Sequence, residues 1–241
     1  MESVDLGPRL RAIASLAPEN CRVLADIGTD HGYIPAALLL EGRIQRAVAT
    51  DVGREPLEHA RRTAARLGLE DQIDFRLGDG LSVLEPGEAD VIVIAGMGGD
   101  TISGILEAAP WSGDGALLLL QPMSRAETLR RWLLERGYAV LAERLVQDKG
   151  TLYPILTVQG GQTPPAGGVC EADAWGGFLL KRDPLWGLYL EDRILRLRRA
   201  ASGLTRARDP ALAWRRQSFL DIIDELEKRK GEWQSAKGAR D

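Results

Sequence analysis

From Arg22 onward the chain alternates short apolar runs with longer stretches in which apolar residues recur every three or four positions. The apolar runs are 23–27, 47–51, 73–77, 91–95 and 116–120, and the stretches with helical spacing are 33–41, 55–67, 100–109 and 125–136. Short apolar strands, each followed by a helix, predict an α/β fold whose parallel sheet is covered on both faces. A short amphipathic helix precedes them over 7–17, with Leu10, Ile13 and Leu16 on one side. Two further strand-like runs, 140–146 and 152–158, are joined by Gln147-Asp148-Lys149-Gly150. That turn-rich link predicts an antiparallel hairpin closing the sheet edge. No internal repeat is visible.

Beyond the hairpin the pattern changes. Residues 160–168 (GGQTPPAGG) read as a surface loop. Two long helical stretches follow, each opened by Asp-Pro, at Asp183-Pro184 and Asp209-Pro210. Asp accepts hydrogen bonds from free helical N–H groups, and Pro fits the first helical position, so both pairs read as helix starts. Leu190, Ile194, Leu197 and Ala201 make the apolar stripe of the first helix. Leu212, Phe219, Ile222, Leu226 and Trp233 make that of the second. The short link 202–208 predicts an antiparallel helical hairpin. The expected division is 1–160 and 161–241.

Composition adds an asymmetry. The 241 residues carry a net charge of −4, and 44% are hydrophobic, enough for a sizeable core. Residues 178–241 hold 15 basic and 10 acidic side chains, so the excess of acid lies in the first part of the chain. Between 193 and 216 there are eight arginines and one acid, Asp209. Such a basic patch on an acidic body can attract a polyanion, although a solvated or dimerising helix face has the same composition. Cys21 and Cys170 are far apart and form neither a disulfide framework nor a zinc pattern, which fits a reducing compartment. There is no basic-then-apolar leader and no run long enough to span a bilayer. The expectation is a cytoplasmic protein without membrane or metal, acting as a monomer or weak dimer.

In an open parallel sheet, ligands bind at the carboxyl ends of the strands. After the first run stands Asp26-Ile27-Gly28-Thr29-Asp30-His31. Gly28 permits a tight turn. The dinucleotide pattern G-x-G-x-x-G fails, because Asp30 and Tyr33 occupy the other two positions. Two carboxylates would repel a pyrophosphate but suit a cation such as S-adenosyl-L-methionine (SAM), which has a sulfonium and an ammonium. Asp51-Val52 after the second run can meet ribose hydroxyls, and Gly78-Asp79-Gly80-Leu81 after the third can meet adenine. Ala95-Gly96-Met97-Gly98 after the fourth lets the backbone approach both cofactor and substrate. Asp26, Gly28, His31, Asp51, Val52, Gly78, Asp79, Gly80, Leu81, Ala95, Gly96 and Met97 are therefore the candidate cofactor residues. Any one of these acids taken alone could be a helix cap; their order along four strand ends is the signal.

These residues resemble the bacterial tRNA (adenine-22 N1)-methyltransferase family. The resemblance rests on the run from Leu24 to Pro35, on Gly78-Asp79-Gly80-Leu81, on Ile94-Ala95-Gly96-Met97-Gly98-Gly99, on Leu120-Gln121-Pro122 and on Tyr153-Pro154-Ile155-Leu156. Asp51 stands where that family often has Glu. The resemblance implies a Rossmann-like class I methyltransferase with a seven-stranded, mostly parallel sheet plus a C-terminal α-helical hairpin. It also implies methyl transfer from SAM to N1 of an adenine in the tRNA D-arm. Exocyclic N6 methylases carry [DNS]-P-P-[YFW] where Ala95-Gly96-Met97-Gly98 stands here, which argues for a ring nitrogen. Asp30 is the candidate catalytic carboxylate, able to stabilise the cationic product; its alternative is an N-cap near Tyr33. His31 either contacts the cofactor or orders the loop. Tyr33 either stacks on a base or packs in the core, and Gly98 joins it on the substrate side. His59 reads as a surface residue of a charged helix. Arg196, Arg199, Arg206 and Arg215 are candidate phosphate contacts on tRNA. Two alternatives remain: a methyltransferase of a small molecule or protein that uses the hairpin to oligomerise, and a non-enzymatic dinucleotide-binding module.

Overall fold

The computed structural model describes residues 4–161, 168–204 and 209–238. They fall into two compact units, Met1–Gly168 and Val169–Asp241.

The first unit begins with α1 (Pro8–Ala14) and β1 (Cys21–Ile27), then alternates α2 (Tyr33–Leu40), β2 (Ile44–Asp51), α3 (Arg54–Leu67) and β3 (Ile73–Leu77). It continues through β4 (Val91–Gly98), α4 (Gly99–Glu107), β5 (Leu117–Ser124) and α5 (Ala126–Glu135) to the hairpin β6 (Ala139–Asp148) and β7 (Thr151–Gln159). The seven strands lie in the order β3-β2-β1-β4-β5-β7-β6. β1 to β5 are parallel, and β7 is antiparallel to both β5 and β6. This is the seven-stranded, mostly parallel sheet expected from the sequence. The Lys149-Gly150 turn has φ of +47° and +79°, the double positive φ that a two-residue hairpin demands.

Side chains alternate across each strand, so the sheet has two cores. Leu24, Ala47, Ala49, Val93 and Leu119 face one way, with α1 and α2 over them. Ala25, Ile27, Val48, Ile92, Ile94 and Leu118 face the other, beneath Ile102 and Leu106 of α4 and Leu129 and Leu133 of α5. Strands buried on both faces have no polar positions to alternate with, which is why their sequences are nearly continuous apolar runs. Strand order reverses between β1 and β4, and a crevice opens there at the carboxyl ends.

The second unit contains α6 (Glu171–Gly176), α7 (Trp186–Gly203) and α8 (Pro210–Gly238). Leu190, Ile194, Leu197 and Ala201 of α7 are buried, as are Ile222 and Leu226 of α8. Asp209 caps α8 as expected, its Oδ1 accepting from the Ala211 N–H at 2.9 Å. The other Asp-Pro start is displaced. Asp183 Oδ1 accepts from the Leu185 N–H at 2.9 Å, yet Trp186 N–H reaches back only three residues, to the Asp183 carbonyl. The tight first turn delays α7 to Trp186. The six-residue α6 was not legible at all; Trp186 Nε1 donates to its Gly176 carbonyl at 2.7 Å.

The arginine cluster of this unit is only partly available to a partner. Arg193 is buried against Tyr189 and paired with Asp192, Arg196 pairs with Asp192 at 3.0 Å, and Arg198 pairs with Glu227. Arg199 is exposed, and Arg215 is exposed with its guanidinium over Phe219. Arg206 and Arg208 lie outside the described residues. Three of the eight arginines thus make ion pairs within the hairpin, although the side chains of Arg196 and Arg198 remain 51% and 61% exposed.

Candidate active site

β1 ends on Asp26-Ile27, and the chain must turn there without blocking the crevice. Gly28 makes the turn with φ +70°. Its N–H and that of Thr29 both donate to the Thr50 carbonyl at 2.9 Å. A side chain on Gly28 would run into Met97 Cε, so the β1 and β4 loops meet at this point. Asp26 shares its face of β1 with Leu24 and is 5% exposed. Thr29 Oγ1 donates to its Oδ2 at 2.7 Å. Burial pushes the Asp26 carboxyl up to about 6, against the Thr29 hydrogen bond that lowers it, and nearby Asp51 raises it further. Thr50 Oγ1 is buried beside this turn without a hydrogen-bond partner.

Opposite, β4 bends. Its register against β5 shifts on both sides of Met97, and Gly96 takes φ +80°. Fully buried Gln121 holds this bend: its Oε1 accepts from the Gly96 N–H at 3.3 Å and from Arg9 Nη1 at 2.7 Å. Its own amide donates to the Pro122 carbonyl at 2.9 Å, which fixes the carboxamide orientation. A cavity of about 280 Å³ lies between these loops, lined by Arg9, Asp26, Gly28, Asp30, His31, Tyr33, Ala95 and Gly96 among others. Arg9 is its one permanent cation among the described residues. A second cleft, of about 270 Å³, is lined by Glu107, Trp132, Arg136 and Tyr138. There Glu107 already accepts from Trp132 Nε1 at 2.9 Å and pairs with Arg136 at 3.0 Å, so its polar groups serve each other.

Asp30 sits at the cavity mouth with φ +53° and a side chain 65% exposed. It does not cap α2, whose N-cap is Gly32 with no side-chain hydrogen bond. His31 Nε2 lies 3.7 Å from Asp30 Oδ2. The His31 ring stacks on Tyr33, centroids 5.1 Å apart, and on His59, centroids 5.0 Å apart. His59 is therefore half-buried support for this loop and not the bare surface residue expected, because α3 turns that face toward the β1 turn.

The remaining strand ends are more loosely joined. Asp51 Oδ1 accepts from the Gly53 N–H at 2.8 Å, and its Oδ2 faces the Asp30 N–H at 3.4 Å. Its carboxylate thus orders two loops. Gly78 N–H donates to the Asp51 carbonyl at 3.0 Å. Asp79 is exposed, Gly80 packs against Ile105, and the Leu81 side chain is buried in the core. Val52 is 68% exposed. Gly98 ends β4 as the N-cap of α4, close to Ser124 Oγ. The crevice brings together the candidates of β1 and β4. Those of β2 and β3 adjoin it through Asp51, and Arg196, Arg199 and Arg215 belong to the other unit.

The structural roles of three residues escaped the sequence reading. Arg9 lies one position before the apolar stripe of α1 and reads as a solvent-facing charge. Gln121 is conspicuous only as a lone amide after Leu117–Leu120, a polar group that burial obliges to find partners. His59 carries no signal, since stacking across elements leaves no local pattern.

Residues 6–156 match the family described as "Methyltransferase domain". The tRNA (adenine(22)-N(1))-methyltransferase of Bacillus subtilis (strain 168) is 38% identical over 167 residues, 69% of this chain and 70% of that protein. The crystal structure of the B. subtilis M1A22 tRNA methyltransferase TrmK superposes with a TM-score of 0.84 at 29% identity, over 95% of this chain and 100% of that one. Streptococcus pneumoniae Sp1610, solved in complex with S-adenosyl-L-methionine, superposes with a TM-score of 0.79 at 30% identity, over 94% of this chain and 100% of that one.

Asp26 carries a prediction about stability. A carboxyl raised from 3.8 to about 6 keeps its proton longer in the folded chain than in the unfolded one. The stability it contributes is complete below about pH 3.8 and is lost as pH rises through about 6. The Asp26→Asn variant should therefore unfold in urea about 2–3 kcal/mol later than the parent at pH 8, with the difference gone by about pH 4. A pH-independent difference would show that the carboxyl is ionised at no cost.

Proposed function

We propose that this chain, which belongs to the tRNA (adenine-22 N1)-methyltransferase family, transfers a methyl group from SAM to N1 of adenine 22 of tRNA. The carrying observation is the pair of carboxylates in one crevice: buried Asp26 with a raised pKa inside, and exposed Asp30 at the mouth.

The residues fit the cofactor. An uncompensated buried carboxylate calls for a cation, and Asp26 with Arg9 offers the charges complementary to the ammonium and carboxylate of a methionine end. Gly28 and Gly96 keep side chains out of the space between them. Asp51, with the Gly78-Asp79 loop, extends the site toward ribose and adenine. When bound, SAM supplies a methyl carbon made electrophilic by the sulfonium.

The other half of the chemistry belongs to the chain. Adenine N1 has a free lone pair, so no strong base is needed. N1 is paired in a duplex, and the base must be unpaired or turned out to enter the cavity. Asp30 accepts a hydrogen bond from the N6 amino group, which makes N1 more nucleophilic, and its negative charge balances the cationic product. Tyr33 offers a flat face at the cavity for the base. Gln121 holds Arg9 and the Gly96 turn in place through one oxygen. Arg199 and Arg215 supply phosphate contacts from the helical hairpin. A cytoplasmic site of action is what a tRNA substrate supports. No helix among the described residues is long and apolar enough to cross a membrane.

Labelled-methyl transfer to unmodified tRNA, followed by nucleoside analysis, tests the reading. It predicts 1-methyladenosine at position 22; N6-methyladenosine or unlabelled tRNA would refute it. The Asp30→Ala variant should lose about 10²- to 10⁴-fold in kcat while SAM affinity stays within about threefold. Equal losses in both would return Asp30 to the cofactor side. Joint reversal of Arg199 and Arg215 to Glu should weaken tRNA binding at low salt and flatten its salt dependence, leaving SAM binding alone. Unaltered tRNA affinity would remove the hairpin from the interface.

A further inference from the structure

α3 meets the catalytic loop at two consecutive residues. A Cβ on Gly32 would lie 3.1 Å from Ala60 Cβ, so the loop backbone rests directly on the helix. Next to that contact the rings of His31 and His59 stack with planes 5° apart. His31 also stacks on Tyr33 at an interplanar angle of 11°, so three near-parallel rings join α3 to the cavity lining. His31 Nε2 is 3.7 Å from Asp30 Oδ2. Asp30 itself holds φ +53°, a conformation that an L residue keeps only where its surroundings impose it.

We propose that His59 is a positioning residue for methyl transfer: by stacking on His31 it holds that imidazole beside Asp30 and so fixes the carboxylate that meets the adenine. The inference rests on the reading above, in which Asp30 faces the substrate. His59 is not among the residues lining the cavity and acts through His31. Ligand atoms of Asp30, His31 and His59 also lie within 4.8 Å of one another, a spacing at which three such groups can hold a metal ion. Parallel imidazoles, however, keep their lone pairs in parallel planes that do not converge on one ion. Stacking and coordination are therefore alternatives here, and the geometry favours stacking.

The test is steady-state kinetics on unmodified tRNA with the parent, His59→Ala and His59→Phe, together with SAM affinity and melting curves. Loss of one aromatic pair corresponds to about 3- to 10-fold in rate. His59→Ala should lower kcat by that factor with KM for SAM unchanged. His59→Phe keeps a flat ring without a ligand nitrogen and should recover most of the loss. In a His31→Ala background, His59→Ala should change kcat no further, which holds the test open should the single alanine variant melt early. Enzyme treated with EDTA and freed of it before the assay should keep full activity. Full activity in His59→Ala, equal losses in the alanine and phenylalanine variants, additive losses with His31→Ala, or activity lost to the EDTA treatment would each overturn the proposal. Should the parent itself fail to methylate tRNA, the functional reading falls and takes this inference with it. An active parent with an unimpaired His59→Ala defeats the inference alone.

Discussion

Burying a carboxylate at the end of a central strand is costly unless something of opposite charge arrives. Asp26 is 5% exposed and has one hydrogen bond from a neutral group, Thr29 Oγ1. Without such a charge it relieves part of that cost by holding its proton up to about pH 6. The architecture forces this position. β1 lies in the middle of the sheet, between β2 and β4, and the strand order reverses on its β4 side. The face that carries Leu24 into the core carries Asp26 to the strand tip, under α1. On the proposed reading a cation with a carboxylate nearby completes the site, since Arg9 lines the same cavity and is held there by Gln121.

That arrangement separates two acids that lie four residues apart. Asp26 is enclosed, where we propose that it meets the cofactor cation. Asp30 is exposed at the mouth, beyond a glycine turn, on a loop seated against α3. Environment, not residue type, gives them different work. On the proposed reading the bend of β4 at Gly96 serves both, because it leaves room for the two ligands to touch.

The sheet was legible because strands buried on both faces can only be apolar, and the helices between them show their spacing; β1 was predicted over 23–27 and spans Cys21–Ile27. The Asp-Pro rule located α8 but placed α7 two residues early, because the hydrogen bond from Leu185 to Asp183 fits a tight turn as well as a helix. That Asp26, Gly28 and Gly96 line one crevice was legible because a strand end with an acid or a glycine restricts what can follow. Arg9, Gln121 and His59 were not. Each contributes through a partner 25 or more positions away, and a side chain's long-range partner leaves no trace in its own neighbourhood. The arginine cluster was legible as charge, but not which of its members pair with Asp192 and Glu227, since that depends on how the helix turns face one another.

The central claim is that the buried acid awaits a cation. Calorimetric titration of SAM in buffers of different ionisation enthalpy measures the protons released on binding. With the Asp26 carboxyl near 6 before binding and ionised after it, about half a proton should leave per SAM at pH 6 and almost none at pH 7.5. The Asp26→Asn variant should release none at either. Buffer-independent heats from the parent at pH 6, or the same proton release from Asp26→Asn, would contradict the account.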